Sequence, residues 1–205
     1  RLAADGTELE PLRLDGALGE ELRRAQADGY SSVAVALLHA TRNPAHERQL
    51  GQWLQQQGVA SIALSHRLSP QPRLVPRGQT ALVEAAVGPV LRRYLEQVRA
   101  ALGTSTPLRV MRSSGALADP EALLAKDTIL SGPAGGMVGA VAVAAAVCPG
   151  RALVGFDMGG TSTDVFHFDP AQSEAGWERS AETTIDGLRL QAPMLPVHTD
   201  RKSVV

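Results

Sequence analysis

Two kinds of pattern alternate along the first third of the chain. The runs SSVAVALLHA (31–40) and VASIALSH (59–66) are almost unbroken aliphatic and β-branched stretches, the look of strands buried on both faces. Between them lies NPAHERQLGQWLQQQG, where Asn43 can cap a helix, Pro44 suits its first position and Gly58 ends it. Ahead of them, ALGEELRRAQAD (17–28) is made of good helix formers, with Gly29 placed as a C-terminal cap. Helix, strand, helix, strand at this spacing predicts an α/β unit with parallel strands.

The pattern then breaks. RLSPQPRLVPRG (67–78) holds three prolines and reads as a loop, the best boundary candidate in the chain. After it, QTALVEAAVGPVLRRYLEQVRAALG predicts one long amphipathic helix with a kink at Gly88-Pro89. Val87, Leu91, Tyr94, Leu95, Val98 and Leu102 form its expected apolar stripe. LRVMRS (108–113) predicts a short strand, and DPEALLAK (119–126) a capped helix with Pro120 at its first position. TILSGPAGGMVGAVAVAAAV then predicts a strand, a glycine loop and a helix of small residues. In VGFDMGGTSTDVFHF (154–168), two apolar runs flank a polar glycine turn, so two strands joined by that turn are expected.

Composition narrows the function. A chain of 205 residues with 44% hydrophobic and 20% charged residues is ordinary for a globular protein. Its formal net charge of -1 supplies no basic field, and 3% aromatics leave little for base stacking, so nucleic acid is not expected as a partner. A single cysteine, Cys148, rules out an internal disulfide framework, and its place at the end of an Ala/Val run reads as a buried thiol. The most apolar stretch, Met137 to Cys148, falls short of the about 20 residues a bilayer needs, so no membrane association is expected and a cytoplasmic setting is the default. The chain starts at Arg1 without methionine and stops in HTDRKSVV, which is the expectation for a piece of a longer polypeptide.

The strongest chemical signal is DMGGTSTD. Gly159 and Gly160 lack a Cβ, so an anion can reach their N–H groups, and Thr161, Ser162 and Thr163 add hydroxyl donors. Asp157 beside such an anion requires a screening Mg²⁺ or water, and Asp164 can play the same part from the second strand. The competing reading is a plain tight hairpin whose Asp and Thr satisfy local backbone groups. SGPAGG (131–136) followed by a helix is a second candidate anion site, through Gly135 and Gly136, or simply a tightly packed helix start. It is neither a Walker A loop nor a dinucleotide fingerprint.

His39 and His66 end the two buried strands and can share the carboxyl edge of one parallel sheet, where α/β ligands bind, while His46 lies on a helix beside Glu47. More often such histidines are satisfied structural groups. Arg73 and Arg77, in the expected boundary loop, are either anion-binding or solvated. No G-x-S-x-G elbow and no His-x₃-His pair occur, which counts against serine and zinc hydrolases.

Taken together, DMGGTSTDV, SGPAGGMVGA, LLHATRNPAHE and ETTIDGLRLQAPMLPVHT resemble the hydantoinase A / 5-oxoprolinase family, and LVPRGQTALVEAAVGPVLRRYLEQ is most similar to its ATP-hydrolysing 5-oxoprolinases. The resemblance runs over roughly residues 10–199. It implies that residues 1–78 are the C-terminal part of an N-terminal family domain and 79–199 the start of the hydantoinase A/oxoprolinase domain, with 200–205 a non-native or truncated tail. The implied fold is an actin-like ATPase of ribonuclease H-like lobes, α/β with mixed sheets flanked by helices, incomplete in this chain. Such proteins hold ATP between two lobes. The first phosphate loop of the family, D-x-G-G-T-F-T-D, is absent here, and DMGGTSTD corresponds to the second. On that mapping Gly159, Gly160, Thr161 and Thr163 contact phosphates, and Asp157 and Asp164 orient Mg²⁺ or water. Where relatives continue after HT with V-A-A-G-G-G-S, this chain reads DRKSVV.

The implied reaction is ATP-dependent opening of 5-oxo-L-proline, a cyclic amide, to L-glutamate. Its family neighbours are N-methylhydantoinases and ketone carboxylase subunits, and an inactive ATP-binding or assembly subunit is the non-enzymatic rival. Potassium dependence, a homo-oligomer, or a complex with a hydantoinase B-type subunit or domain are further family-level expectations.

Overall fold

The computed structural model describes residues 1–160, 162–171 and 179–201. The chain is α/β and divides into two compact units, Arg1–Gly103 with Thr184–Gln191, and Thr104–Thr183 with Ala192–Val205.

The first unit follows the predicted alternation. Helix α1 (Gly16–Ala27) is capped by Asp15, whose carboxylate accepts from the Leu18 N–H. Strands β1 (Ser32–Val35) and β2 (Ser61–Leu64) pair in parallel, Ser32 opposite Ser61 and Val35 opposite Leu64. The crossover between them is α2 (Ala45–Gln56), where the Asn43 side-chain oxygen accepts from the Ala45 N–H at 3.0 Å, Pro44, expected at the first helical position, stands at the N-cap instead, and Gly58 leaves by a positive φ of 80°. Val35, Leu54, Val59 and Leu64 form the core here, with Trp53, Leu22 and Ile62 packed around it.

Both strands are shorter than their apolar runs. After β1 the chain turns through His39, a non-glycine residue at φ 62°, and after β2 it enters a single helical turn, α3 (Ser65–Leu68).

The expected loop at 67–78 is only partly loop. Helix α4 (Leu74–Leu102) begins inside it, with Pro76 and Arg77 in its first turn, and runs through Pro89 without a break. Its buried face also differs from the predicted stripe. Arg77, Thr80, Ala81, Glu84, Ala85, Gly88 and Leu95 are buried, whereas Tyr94 is 59% exposed and Leu102 42%. The helix lies along β1 and β2, and small residues let it come close; a Cβ on Gly78 would meet that of Ala36 at 3.4 Å. Hairpin β7 (Thr183–Ile185) and β8 (Leu188–Leu190) returns to this unit, where the Thr80 hydroxyl accepts from the Gln191 N–H at 2.8 Å.

In the second unit, β3 (Val110–Met111) and β4 (Leu117–Ala118) form a short antiparallel pair. The helix expected over 119–126 is instead two 3-10 turns, Pro120–Ala122 and Ala125–Asp127, separated by extended Leu123 and Leu124. Asp119 does not cap; its carboxylate pairs with Arg109. No strand or glycine loop precedes the small-residue helix. Helix α5 (Ser131–Val147) starts at Ser131 itself, with Pro133 tolerated because first-turn N–H groups lack helical partners.

Beyond α5 comes a three-stranded antiparallel sheet in the order β5 (Leu153–Met158), β6 (Ser162–Phe168), β9 (Val197–Arg201). Asp200 and Arg201, expected to belong to a non-native tail, pair in β9 with Thr163 and Ser162; residues 202–205 lie outside the described residues. One sheet face packs Phe166, Leu153, Phe168 and Val197 on Ala134, Met137 and Leu195. Cys148, expected to be buried, is exposed, because α5 buries only Ala134 and Met137. No helix among the described residues is long and apolar enough to cross a membrane.

Candidate functional site

The β5–β6 hairpin carries most of the sequence-predicted site. Its register sets Asp157 directly opposite Asp164 and Met158 opposite Thr163. Residues opposite one another in an antiparallel pair share a face, with Cβ atoms about 5 Å apart, so the two carboxylates lie side by side. Alternation along β6 puts the Ser162 side chain on that same face and Thr163 on the other, with Met158 and Phe156. Asp157 is exposed and Asp164 half-buried. Two like charges in this position destabilise a hairpin unless a cation or hydrogen-bond donors offset them.

The turn itself is closed by the Gly159 N–H, which donates to the Ser162 carbonyl at 2.9 Å. That amide, expected to face an anion, is committed to the turn. Beside Gly160 a Cβ would meet nothing within 4 Å, so its backbone is approachable from outside. Thr161 lies outside the described residues. Gly135 and Gly136 are not part of a loop at all. They sit in the first turns of α5, and Gly136 is exposed with nothing within 4 Å of a built Cβ. The helix start predicted after Gly136 comes at Ser131, because continuous helical hydrogen bonding is open to glycine and to a first-turn proline alike.

All ligand atoms offered on the carboxylate face are oxygens, the donor set of a hard divalent cation. Mg²⁺ commonly takes one or two protein carboxylates and completes its shell with water and phosphate oxygens, so Asp157 and Asp164 fit that ion. Among the described residues no group of three or more His, Cys, Asp or Glu side chains is placed to hold a metal without such help.

A second cluster escapes the sequence reading. Glu47, fully buried on α2, accepts hydrogen bonds through Oε1 from the Leu37 N–H at 2.8 Å and the Ser65 hydroxyl at 2.5 Å. Its Oε2 accepts from the His66 N–H at 3.0 Å and meets His66 Nδ1 at 2.7 Å. Arg77, also fully buried, donates from Nη1 to Glu47 at 3.2 Å and to the Ser65 hydroxyl, and from Nη2 to the Leu37 carbonyl at 2.7 Å. The cluster therefore ties the segments following β1 and β2 to α2 and α4, at the carboxyl edge of the parallel pair. The sequence places Arg77 in a loop, bound to an anion or solvated; it is instead the counter-ion of Glu47. His39 lies outside this network, and His46 sits 3.6 Å from Glu8. Arg73 stands at the N-terminal boundary of α4.

The sequence also matches known proteins. The family profile described as Hydantoinase/oxoprolinase matches residues 77–199, and the profile of the Hydantoinase/oxoprolinase N-terminal region matches 1–58. The 5-oxoprolinase 1 of Arabidopsis thaliana is 38% identical over 199 residues, covering 95% of this chain and 14% of that protein. The 5-oxoprolinase of Saccharomyces cerevisiae is 35% identical over 180 residues, covering 87% and 14%. The caprolactamase subunit alpha of Pseudomonas jessenii is 30% identical over 206 residues, covering 97% and 29%. The crystal structure of the ATP-dependent caprolactamase from that organism superposes with a TM-score of 0.79 at 28% identity, over 97% of this chain and 29% of the other. The chain thus spans about one seventh of the length of the 5-oxoprolinases it matches. With one profile covering more than half of its residues and a second covering most of the rest of unit one, the chain belongs to the hydantoinase/oxoprolinase family.

Proposed function

We propose that this chain is the phosphate-handling part of an ATP-dependent cyclic-amide hydrolase that opens 5-oxo-L-proline to L-glutamate. The observation that carries the proposal is Asp157 set opposite Asp164 beside a Gly-Gly turn. Its relatives' names support the substrate class, and the caprolactamase shows that a lactam of another ring size occurs within the family. On this reading the lobes are of the actin-like ATPase type, the setting is the cytoplasm, and the complete enzyme works as an oligomer or with a hydantoinase B-type partner.

A lactam is a poor electrophile because nitrogen donates into its carbonyl. When bound, Mg²⁺ and ATP would supply charge neutralisation and a phosphoryl group for the lactam oxygen, with ADP leaving. Water adding to the carbonyl carbon would then let the ring C–N bond break with the nitrogen taking a proton, and a second water would release phosphate from the resulting acyl phosphate to leave glutamate. Asp157 and Asp164 hold the cation, the Ser162 hydroxyl on the same face donates to a phosphate oxygen, and the open backbone at Gly160 lets that oxygen approach. Neither carboxylate has to act as a base in this scheme.

The commitment of the Gly159 N–H to Ser162 favours a second reading, a hairpin with a purely structural turn. One substitution separates the two. In the complete polypeptide carrying this chain, Asp157→Ala is expected to abolish ATP turnover without lowering the thermal unfolding temperature, since Asp157 is exposed and its removal takes away a like charge opposite Asp164. Unaltered turnover assigns the hairpin to structure alone. Glutamate released from 5-oxoproline, measured against release from hydantoins and larger lactams, fixes the substrate.

A further inference from the structure

We infer that the free edge of β1 is the seat of a further parallel strand, supplied by a part of the complete polypeptide outside these 205 residues. The run SSVAVALLHA is apolar on both faces, as is a strand in the interior of a parallel sheet. Yet among the described residues β1 pairs with β2 alone, and Ser32, Val33 and Ala34 stay half-buried. Sheets usually hold about four to six strands.

The edge is a slot with two walls. A groove of about 510 Å³ follows residues 31–34, with Leu22 and Ala25 of α1 on one side and Leu82 of α4, 54% exposed, on the other. Those walls belong to opposite faces of the sheet. Val33 and Val35 pack with Leu22 and Leu54 on the α2 side, whereas Ala36, one step out of phase, meets Gly78 of α4. A strand fits between two such helical layers, its side chains alternating toward one and the other. Helix α1 buries no residue fully, as expected of a helix whose strand is missing beneath it. The connection agrees. A strand placed before α1 and beside β1 repeats the sense of the β1–α2–β2 crossover, which parallel units keep. The chain ahead of α1 is held at the carboxyl edge, where the Asn43 side-chain amide donates to the Gly6 carbonyl at 2.9 Å. A strand parallel to β1 finishes at that same edge.

No charged side chain lines the groove, and it lies toward the amino end of the strands, whereas α/β folds bind small molecules beyond the carboxyl ends. The relatives leave ample chain for the role, since this sequence spans about one seventh of the 5-oxoprolinases it matches. The occupant is therefore an uncharged extended segment, apolar on both faces.

The test uses the complete polypeptide. Amide exchange needs no substitution. With β2 as sole neighbour, alternate amides of Ser32–Val35 point away from the ladder and exchange, whereas a strand on each side protects every one of them. In Leu82→Cys, maleimide is expected to label position 82 at least about a hundredfold more slowly than in the urea-unfolded protein. A benzophenone side chain in place of Leu82 is expected to cross-link to an apolar stretch of the same polypeptide outside residues 1–205. Fast exchange at alternate β1 amides assigns the groove to a helix or to solvent and overturns the inference. Labelling near the unfolded rate overturns it too, as does a cross-link that is absent, joins two copies or stays within residues 1–205.

Discussion

At the scale of single residues, Glu47 and Arg77 decide most about the first unit. Burial by itself would raise the Glu47 carboxyl, but the Ser65 hydroxyl, the His66 and Leu37 N–H groups and the His66 ring outweigh it and hold the carboxyl below its ordinary 4.5. Because the folded group titrates below the unfolded one, its contribution to stability is complete above 4.5 and is lost as pH falls through the lower folded value. Urea unfolding followed from pH 7 to pH 3 should therefore show an acid-side loss that is smaller in Glu47→Gln; parallel curves for the two proteins would contradict this. Arg77→Met leaves Glu47 buried without its counter-ion, and a loss of about 3 kcal/mol at pH 7 is expected from the shift in urea midpoint. None of this was legible in the sequence. The Glu stands beside His46 on a helix that the local pattern predicts, yet its partners Ser65 and Arg77 lie 18 and 30 positions further on. Local pattern shows which residues can be charged, and only packing shows which of them are buried together.

Elements were legible where their ends carry chemistry. Gly58 follows α2, the Asn43 side chain bonds the Ala45 N–H from one residue before the cap at Pro44, and the glycine turn bounds β5 and β6, because caps and turns act over a few residues. The start of α5 and the buried face of α4 were not, since glycine and alanine are compatible with loop, close packing and helix interior alike, and neighbours decide among them. The Asp157–Asp164 register was implicit in a two-strand reading, but which hydroxyl shares their face depended on where the turn closes.

Gly155 shows the same dependence on a partner. It faces Phe166 across the hairpin, and a Cβ built at 155 would lie 2.0 to 2.4 Å from atoms of that ring. Phe166 is 5% exposed and packed on Ala134, Met137 and Leu195, so the ring has nowhere to retreat. Gly155→Ala is expected to cost about 2 kcal/mol of second-unit stability through overpacking, with faster amide exchange along β5 and β6. Adding Phe166→Leu to Gly155→Ala should recover part of the loss; additive losses in the pair would show that the ring is not the cause.

At the scale of the whole chain, the sheet of the second unit has one covered face and one open face. Phe166, Leu153 and Phe168 pack inward, whereas Val154 at 70%, Phe156 at 66% and Met158 at 65% exposure stand at alternate positions on the other side. These residues lie on β5, which among the described residues stands at the edge of the strand order β5-β6-β9. A flat apolar edge strand is the feature natural sheets avoid with lysine, proline or a covering element, because it templates pairing with another chain. The 205 residues produced by themselves are therefore expected to self-associate through β5. Sedimentation velocity across a hundredfold range of concentration measures this directly. Phe156→Lys places a charge in the middle of the stripe on the face away from the core and should return the chain to monomer without lowering its unfolding temperature. If the lysine variant associates as strongly as the parent, the association runs through another surface, and the exposed valines at 143 and 147 on α5 become the next to substitute.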